Sequence, residues 1–136
     1  MPSFEDSAVS HAPPEEVWKL LYDPSRFPEW WAGIEAVEAG EPADPGRRRF
    51  TYYAEGRPDL PMPQLLDTSR TAQRILISCL VTDIRFEWRL EPADGGRATL
   101  ISVFVDIPER ERQLLQTERT AISRSLARLA DLAALA

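Results

Sequence analysis

Residues 109–136 constrain the fold more than any other segment. At about 100° per residue, Leu115, Ile122, Leu126, Leu129 and Ala133 fall on one stripe, and Glu109, Arg112, Arg124 and Arg128 lie towards the other side. A helix patterned this way must lay its apolar stripe on something. The preceding segments supply a partner, because they read as strands. In residues 83–91, Ile84, Phe86, Trp88 and Leu90 share one face, while Arg85, Glu87 and Arg89 share the other. The stretch at 92–96, PADGG, is a hairpin signal. Residues 97–107 follow as a last strand, with Thr99, Ile101, Val103, Val105 and Ile107 on one side. Leu100 and Phe104 lie on the other side, so this strand is expected to be covered on both faces.

Upstream, residues 3–10 read as a first strand. Pro13-Pro14 opens a short helix whose first-turn Glu15 and Glu16 suit the positive end of its dipole. A second short helix is expected from Pro24 to Trp31, with Asp23 as its cap. Further strands are predicted over 34–40, 48–54, 64–70 and 74–81, with a turn at 41–46. Pro58, Pro61 and Pro63 make residues 55–64 a rim loop or lid. The arginines at 47–49 read as a solvated strand edge. The 136 residues, with neither repeat nor linker, are expected to form one domain over 1–136.

Composition removes several functions. The net charge of −6 argues against a nucleic-acid binder and against attraction to an anionic membrane. Cys79 and His11 are the only residues of their kinds, which leaves no disulfide and no Cys/His zinc set. No cofactor and no metal are expected. No apolar run spans a bilayer, so neither membrane insertion nor export is expected, and the reading is a cytoplasmic protein. The pattern is also compatible with a homodimer.

Two polar residues interrupt the apolar stripe of the last helix: Glu118 and Ser125. A carboxylate there costs free energy unless it is paired or protonated. Glu118 therefore either meets an arginine from the sheet or faces a pocket, where it binds or protonates a ligand. Of the adjacent Trp30 and Trp31, one belongs in the core and the other at a pocket mouth. Tyr52 and Tyr53 point to opposite faces of one strand, and one of them should face inward. The candidate ligand-binding residues are Trp31, Tyr53, Phe86, Trp88, Glu118, Ile122 and Ser125, with Glu118 also the catalytic candidate. Cys79 shares parity with Ile75 and Ile77 and reads as an inert buried thiol.

Two stretches resemble a known family. Residues 11–31, HAPPEEVWKLLYDPSRFPEWW, are similar to the opening of the START-like (SRPBCC) superfamily. Residues 86–109, FEWRLEPADGGRATLISVFVDIPE, resemble its closing hairpin, although Arg97-Ala98-Thr99 stands where the family has a Gly-Thr-Arg-Val-Thr pattern. The nearest branch is the polyketide cyclase/dehydrase one. The resemblance implies an α+β helix-grip fold: a seven-stranded antiparallel sheet around the last helix, with a cavity between them. The function expected is binding of a small apolar or aromatic molecule, lipid- or polyketide-like, in that cavity. An enzyme of the cyclase, aromatase or dehydratase type using a cavity carboxylate is the alternative. A protein-interaction module without a ligand is the second.

Overall fold

The computed structural model describes residues 2–44 and 46–135. Seven strands form one antiparallel sheet: β1 (Ser3–Ser10), β2 (Ile34–Asp44), β3 (Arg47–Ala54), β4 (Met62–Ser69), β5 (Arg74–Cys79), β6 (Arg85–Ala93) and β7 (Ala98–Asp106). Their spatial order is β1-β7-β6-β5-β4-β3-β2, so every pair after β1 is a simple hairpin neighbour. Helix α1 (Pro14–Leu21) and a 3₁₀ segment (Pro24–Glu29) follow β1. Helix α2 (Leu115–Ala134) closes the chain. This is the helix-grip arrangement.

Alternation puts one face of the sheet inside. Phe86 lies between Ile77 of β5 and Val105 of β7; Trp88 lies between Ile75 and Val103. All six are buried. Two buried hydroxyls on this side are satisfied by backbone carbonyls. The Ser10 hydroxyl donates to the Ala130 carbonyl at 2.7 Å, and the Thr99 hydroxyl donates to that of Ala12 at 2.8 Å. The first of these ties the C-terminal part of α2 to β1. Accordingly, Ile122, Ser125, Leu126, Leu129, Ala130 and Ala133 are buried, whereas no residue in the first two turns of α2 is. The helix is seated at one end and stands off the sheet at the other.

Several boundaries differ from the sequence reading for local reasons. The second helix is 3₁₀ and ends at Glu29, where Trp30 at φ −138° leaves helical geometry; Asp23 does cap it, accepting from the Ser25 amide at 3.1 Å. Helix α2 begins at Leu115. Residues 109–114 form a 3₁₀ turn that Glu111, at φ −110°, breaks from helical geometry. Strand β5 stops at Cys79, where the chain turns back through Asp83 at φ +63°, leaving Leu80 and Val81 exposed. The turn expected at 41–46 is narrower, because β2 runs to Asp44; residue 45 lies outside the described residues. The outer face of β7 is not covered: Phe104 is 44% exposed. The arginines at 47–49 do not lie on an edge. Strand β3 is flanked by β2 and β4, and Arg47 pairs with Asp67 at 2.6 Å.

Candidate functional site

Where the N-terminal part of α2 stands off the sheet, a cavity of about 290 Å³ remains. Register builds its floor. Phe50 of β3 lies opposite Gln64 of β4, which lies opposite Cys79 of β5, and Tyr52 lies opposite Met62. These side chains join Ile77, Ile84 and Phe86 in the wall. Leu114, Thr117, Glu118 and Ala121 roof it from the helix side.

One end is an aromatic cluster. Trp31 stacks on Trp30 at 5.2 Å between centroids and meets Phe86 edge-on at 5.2 Å and 83°. Trp30 is fully buried and donates its indole N–H to the Leu20 carbonyl at 3.1 Å. That bond fixes the inner partner of the pair and leaves Trp31 to the cavity. Gly33, at φ +95°, then turns the chain into β2 and also lines the cavity; a side chain is disfavoured in that conformation.

Besides Cys79, the polar side chains of the wall are Tyr52, Gln64, Thr82, Thr117 and Glu118. Glu118 makes no hydrogen bond or ion pair with any described residue, and burial alone pushes its carboxyl from 4.5 up to about 7. No arginine from the sheet reaches it. Tyr52 likewise has no hydrogen-bond partner. Burial, followed by the proximity of Cys79 and Glu118, pushes its phenol up to about 12. Gln64 is 2% exposed; its amide donates to the Met62 carbonyl at 3.2 Å. A carbonyl can only accept, so this contact fixes the NH₂ end and leaves the carboxamide oxygen without a donor.

Of the residues singled out from sequence, the structure brings Trp31, Phe86 and Glu118 together in this wall. The other four lie elsewhere. Tyr53 is on the outer face, its hydroxyl donating to Glu38 at 3.2 Å; Tyr52 is the inward one. Trp88 is 1% exposed, behind Trp31, and takes no part in the lining. Its indole N–H has no acceptor, and the rings of Trp30 and Trp31 surround it edge-to-face. Ile122 is fully buried in the core. The Ser125 hydroxyl accepts from the Ala32 amide at 2.9 Å and donates to the Ala121 carbonyl at 2.7 Å, so it is consumed internally. Phe50, Gln64 and Met62 were not singled out. The parity shared by Gln64 and Leu66 in β4 was the available signal, since a glutamine there must face inward.

Among the described residues, no group of three His, Cys, Asp or Glu stands close enough to hold a metal ion, and no helix is long and apolar enough to cross a membrane. A family model described as polyketide cyclase/dehydrase and lipid transport matches residues 1–134. The chain belongs to that family. No curated protein sequence matches the chain. Solved structures share its fold at low identity. The ZhuI aromatase/cyclase from a Streptomyces species is 17% identical with a TM-score of 0.79, over 97% of this chain and 93% of that one. The di-domain ARO/CYC protein BexL is 17% identical with a TM-score of 0.80, over 96% of this chain and 46% of that one, so this chain spans about half of BexL. A solution structure from Thermobifida fusca is 20% identical with a TM-score of 0.77, over 98% of this chain and 93% of that one. Within the polyketide cyclase/dehydrase family, then, this chain combines the helix-grip frame with a carboxyl, a phenol and a carboxamide oxygen that have no partner among the described residues.

Proposed function

We propose that the protein binds a small, largely apolar or aromatic molecule in the cavity between β3–β5 and the start of α2. One observation carries this reading: Glu118, Tyr52 and the Gln64 oxygen face one largely apolar cavity wall with no hydrogen-bond partner among the described residues. Polar groups held in an apolar wall are solvated less well than in bulk water, which carries a free-energy cost. A bound molecule that supplies the missing partners recovers that cost, while Trp31, Phe50 and Phe86 provide apolar contact. Family membership and the structural likeness to the aromatase/cyclase ZhuI and the ARO/CYC protein BexL fit the same reading. The test is a thermal-shift screen with small aromatic compounds, alongside native mass spectrometry of the purified protein. A ligand at 100 times its Kd should add about 2.7 kcal/mol of stability. Ala121→Phe, which fills the roof of the cavity, should remove the response. A variant that still binds every hit would place binding elsewhere.

A second reading is catalysis of the cyclase or dehydratase kind, and the proximity of Glu118 to Tyr52 favours it. An acid held near pH 7 can both give and take a proton at neutral pH, and the neutral Tyr52 phenol can donate to a carbonyl oxygen. Glu118→Gln should then abolish turnover of a bound polyketide-like ketone while leaving binding and folding intact. Unchanged turnover would eliminate this version.

A further inference from the structure

The charge and hydrogen-bonding sense of the cavity wall restrict its occupant further, on the premise that the cavity binds a small molecule. Among the described residues, no lysine, arginine or histidine contributes to the wall. The cations of α2 nearest to Glu118 in sequence are turned away. Arg119 sits over the Phe4 ring at 5.3 Å, and Arg124 lines a shallow groove outside, with Glu55. In the turn before α2, Arg110 pairs with Asp83 and Arg112 pairs with Glu109. The polar side-chain atoms that remain open are the Glu118 carboxyl and the Gln64 oxygen, with the hydroxyls of Tyr52, Thr82 and Thr117 able to act either way. Around them stand four aromatic rings: Trp31, Phe50, Tyr52 and Phe86.

A wall of this kind has acceptors to offer and no charge to balance an anion. A carboxylate-bearing ligand would bring a second negative group into an apolar space beside Glu118. An ammonium reverses both effects. It donates up to three hydrogen bonds, neutralises Glu118, and is attracted to aromatic faces. The cavity volume of about 290 Å³ lies at the lower end of the range for small-molecule sites. This suits a ligand with one or two rings and a short arm.

We propose that the cavity is selective for small aromatic amines in their protonated form, with the ammonium held by Glu118 and Gln64 and the ring among Trp31, Phe50 and Phe86.

The test is calorimetric titration of three probes of matched shape: naphthylethylamine, naphthylethanol and naphthylacetate. At pH 8, where Glu118 is mostly ionised and the amine still protonated, the amine should bind about tenfold or more tightly than the alcohol. That is the effect of one charge-assisted hydrogen bond. The acid should bind more weakly than both. Glu118→Gln should erase the preference of amine over alcohol while changing alcohol binding by no more than about tenfold, the upper range of one neutral hydrogen bond. For wild type, amine affinity should fall on going from pH 8 to pH 6 as Glu118 takes up its proton; Tyr52 and Cys79, the other titratable groups of the wall, flank it. This arm needs no variant, so it decides the matter even if Glu118→Gln fails to fold. Equal binding of amine and alcohol, tighter binding of the acid, or a preference that survives Glu118→Gln overturns the amine assignment and leaves the small-molecule reading standing. Binding of none of the three overturns both.

Discussion

The Ser125 hydroxyl accepts a hydrogen bond from the Ala32 amide at 2.9 Å, spanning 93 positions of sequence to dock the loop that carries Trp31 onto α2. The hydroxyl's own proton goes to the Ala121 carbonyl at 2.7 Å. Ser125 is fully buried, so the polar residue that interrupts the apolar stripe is a latch between the aromatic end of the cavity and its roof.

Ser125→Ala removes the acceptor and leaves the Ala32 N–H without its partner. The cost of an orphaned, part-buried donor is about 1–3 kcal/mol. Urea denaturation should show a lower midpoint by that amount, with the slope unchanged. Trp31 fluorescence should also become more quenchable, because the loop loses its anchor. A midpoint equal to wild type would mean that the Ala32 amide finds another acceptor and that the latch is dispensable.

A pH dependence follows from Glu118. Its folded carboxyl titrates at about 7, against 4.5 for the ordinary group, so the folded state holds this proton more tightly than the unfolded chain. The resulting contribution is fully present below about pH 4.5 and is lost as the pH rises to about 7, a change of about 3 kcal/mol. Glu87, lowered by Arg74 and Arg89, works in the opposite sense, so total stability does not isolate the effect. The difference between wild type and Glu118→Gln does. Wild-type stability relative to the variant should decline across that window and be flat above it. A flat difference throughout, measured by urea unfolding at a series of pH values, would show that Glu118 is solvated.

Much of this was legible in the chain because the period of each element survives packing. Phe86, Trp88 and Leu90 lie on the inner face of β6 as their alternation requires, and Glu118 follows the apolar stripe of α2 to the cavity. Depth was not legible. Phe86 and Trp88 share a face, yet only Phe86 reaches the cavity, because the Trp30–Trp31 pair is laid over Trp88 by a loop whose course depends on the Ser125 contact. The inward tyrosine was not legible either. The pairing of β2 with β3 shifts register between Ile34 and Ala36 and again after Ala39. At Gly40 the strands approach so closely that a Cβ would stand 2.6 Å from the Arg49 carbonyl oxygen. Irregularities of that kind have no periodic signature. The start of α2 was misread because Pro108 followed by acidic residues satisfies the rules for a helix start, and a 3₁₀ turn satisfies them equally.

The two tyrosines separate cleanly in experiment. Tyr52→Phe keeps the ring in the cavity wall and removes only the phenol beside Glu118. It should alter ligand affinity by about 3- to 10-fold, the range of one neutral hydrogen bond, with little change in unfolding midpoint. Tyr53→Phe removes an exposed contact with Glu38 and should change neither affinity nor stability, the latter remaining within about 0.5 kcal/mol. Calorimetric titration of both variants is the measurement, and an affinity change confined to Tyr53→Phe would reverse the assignment of faces.

Ile122 and Ala121 are neighbours in sequence on α2, yet they fall on opposite sides of the boundary between packed core and cavity. Ile122 is 0% exposed within the core cluster, whereas Ala121 is in the cavity roof. Ile122→Ala should therefore act through stability. Removing a fully buried isoleucine side chain costs about 2–5 kcal/mol, through lost transfer energy and the void left behind. Ligand affinity, measured under conditions where the variant remains folded, should stay close to wild type. Ala121→Phe should show the reverse, with affinity lost and the unfolding midpoint little changed. If Ile122→Ala instead weakened binding in proportion to its loss of stability, the ligand would reach past the second turn of α2, and the seated half of the helix would have to lift from β1 to admit it.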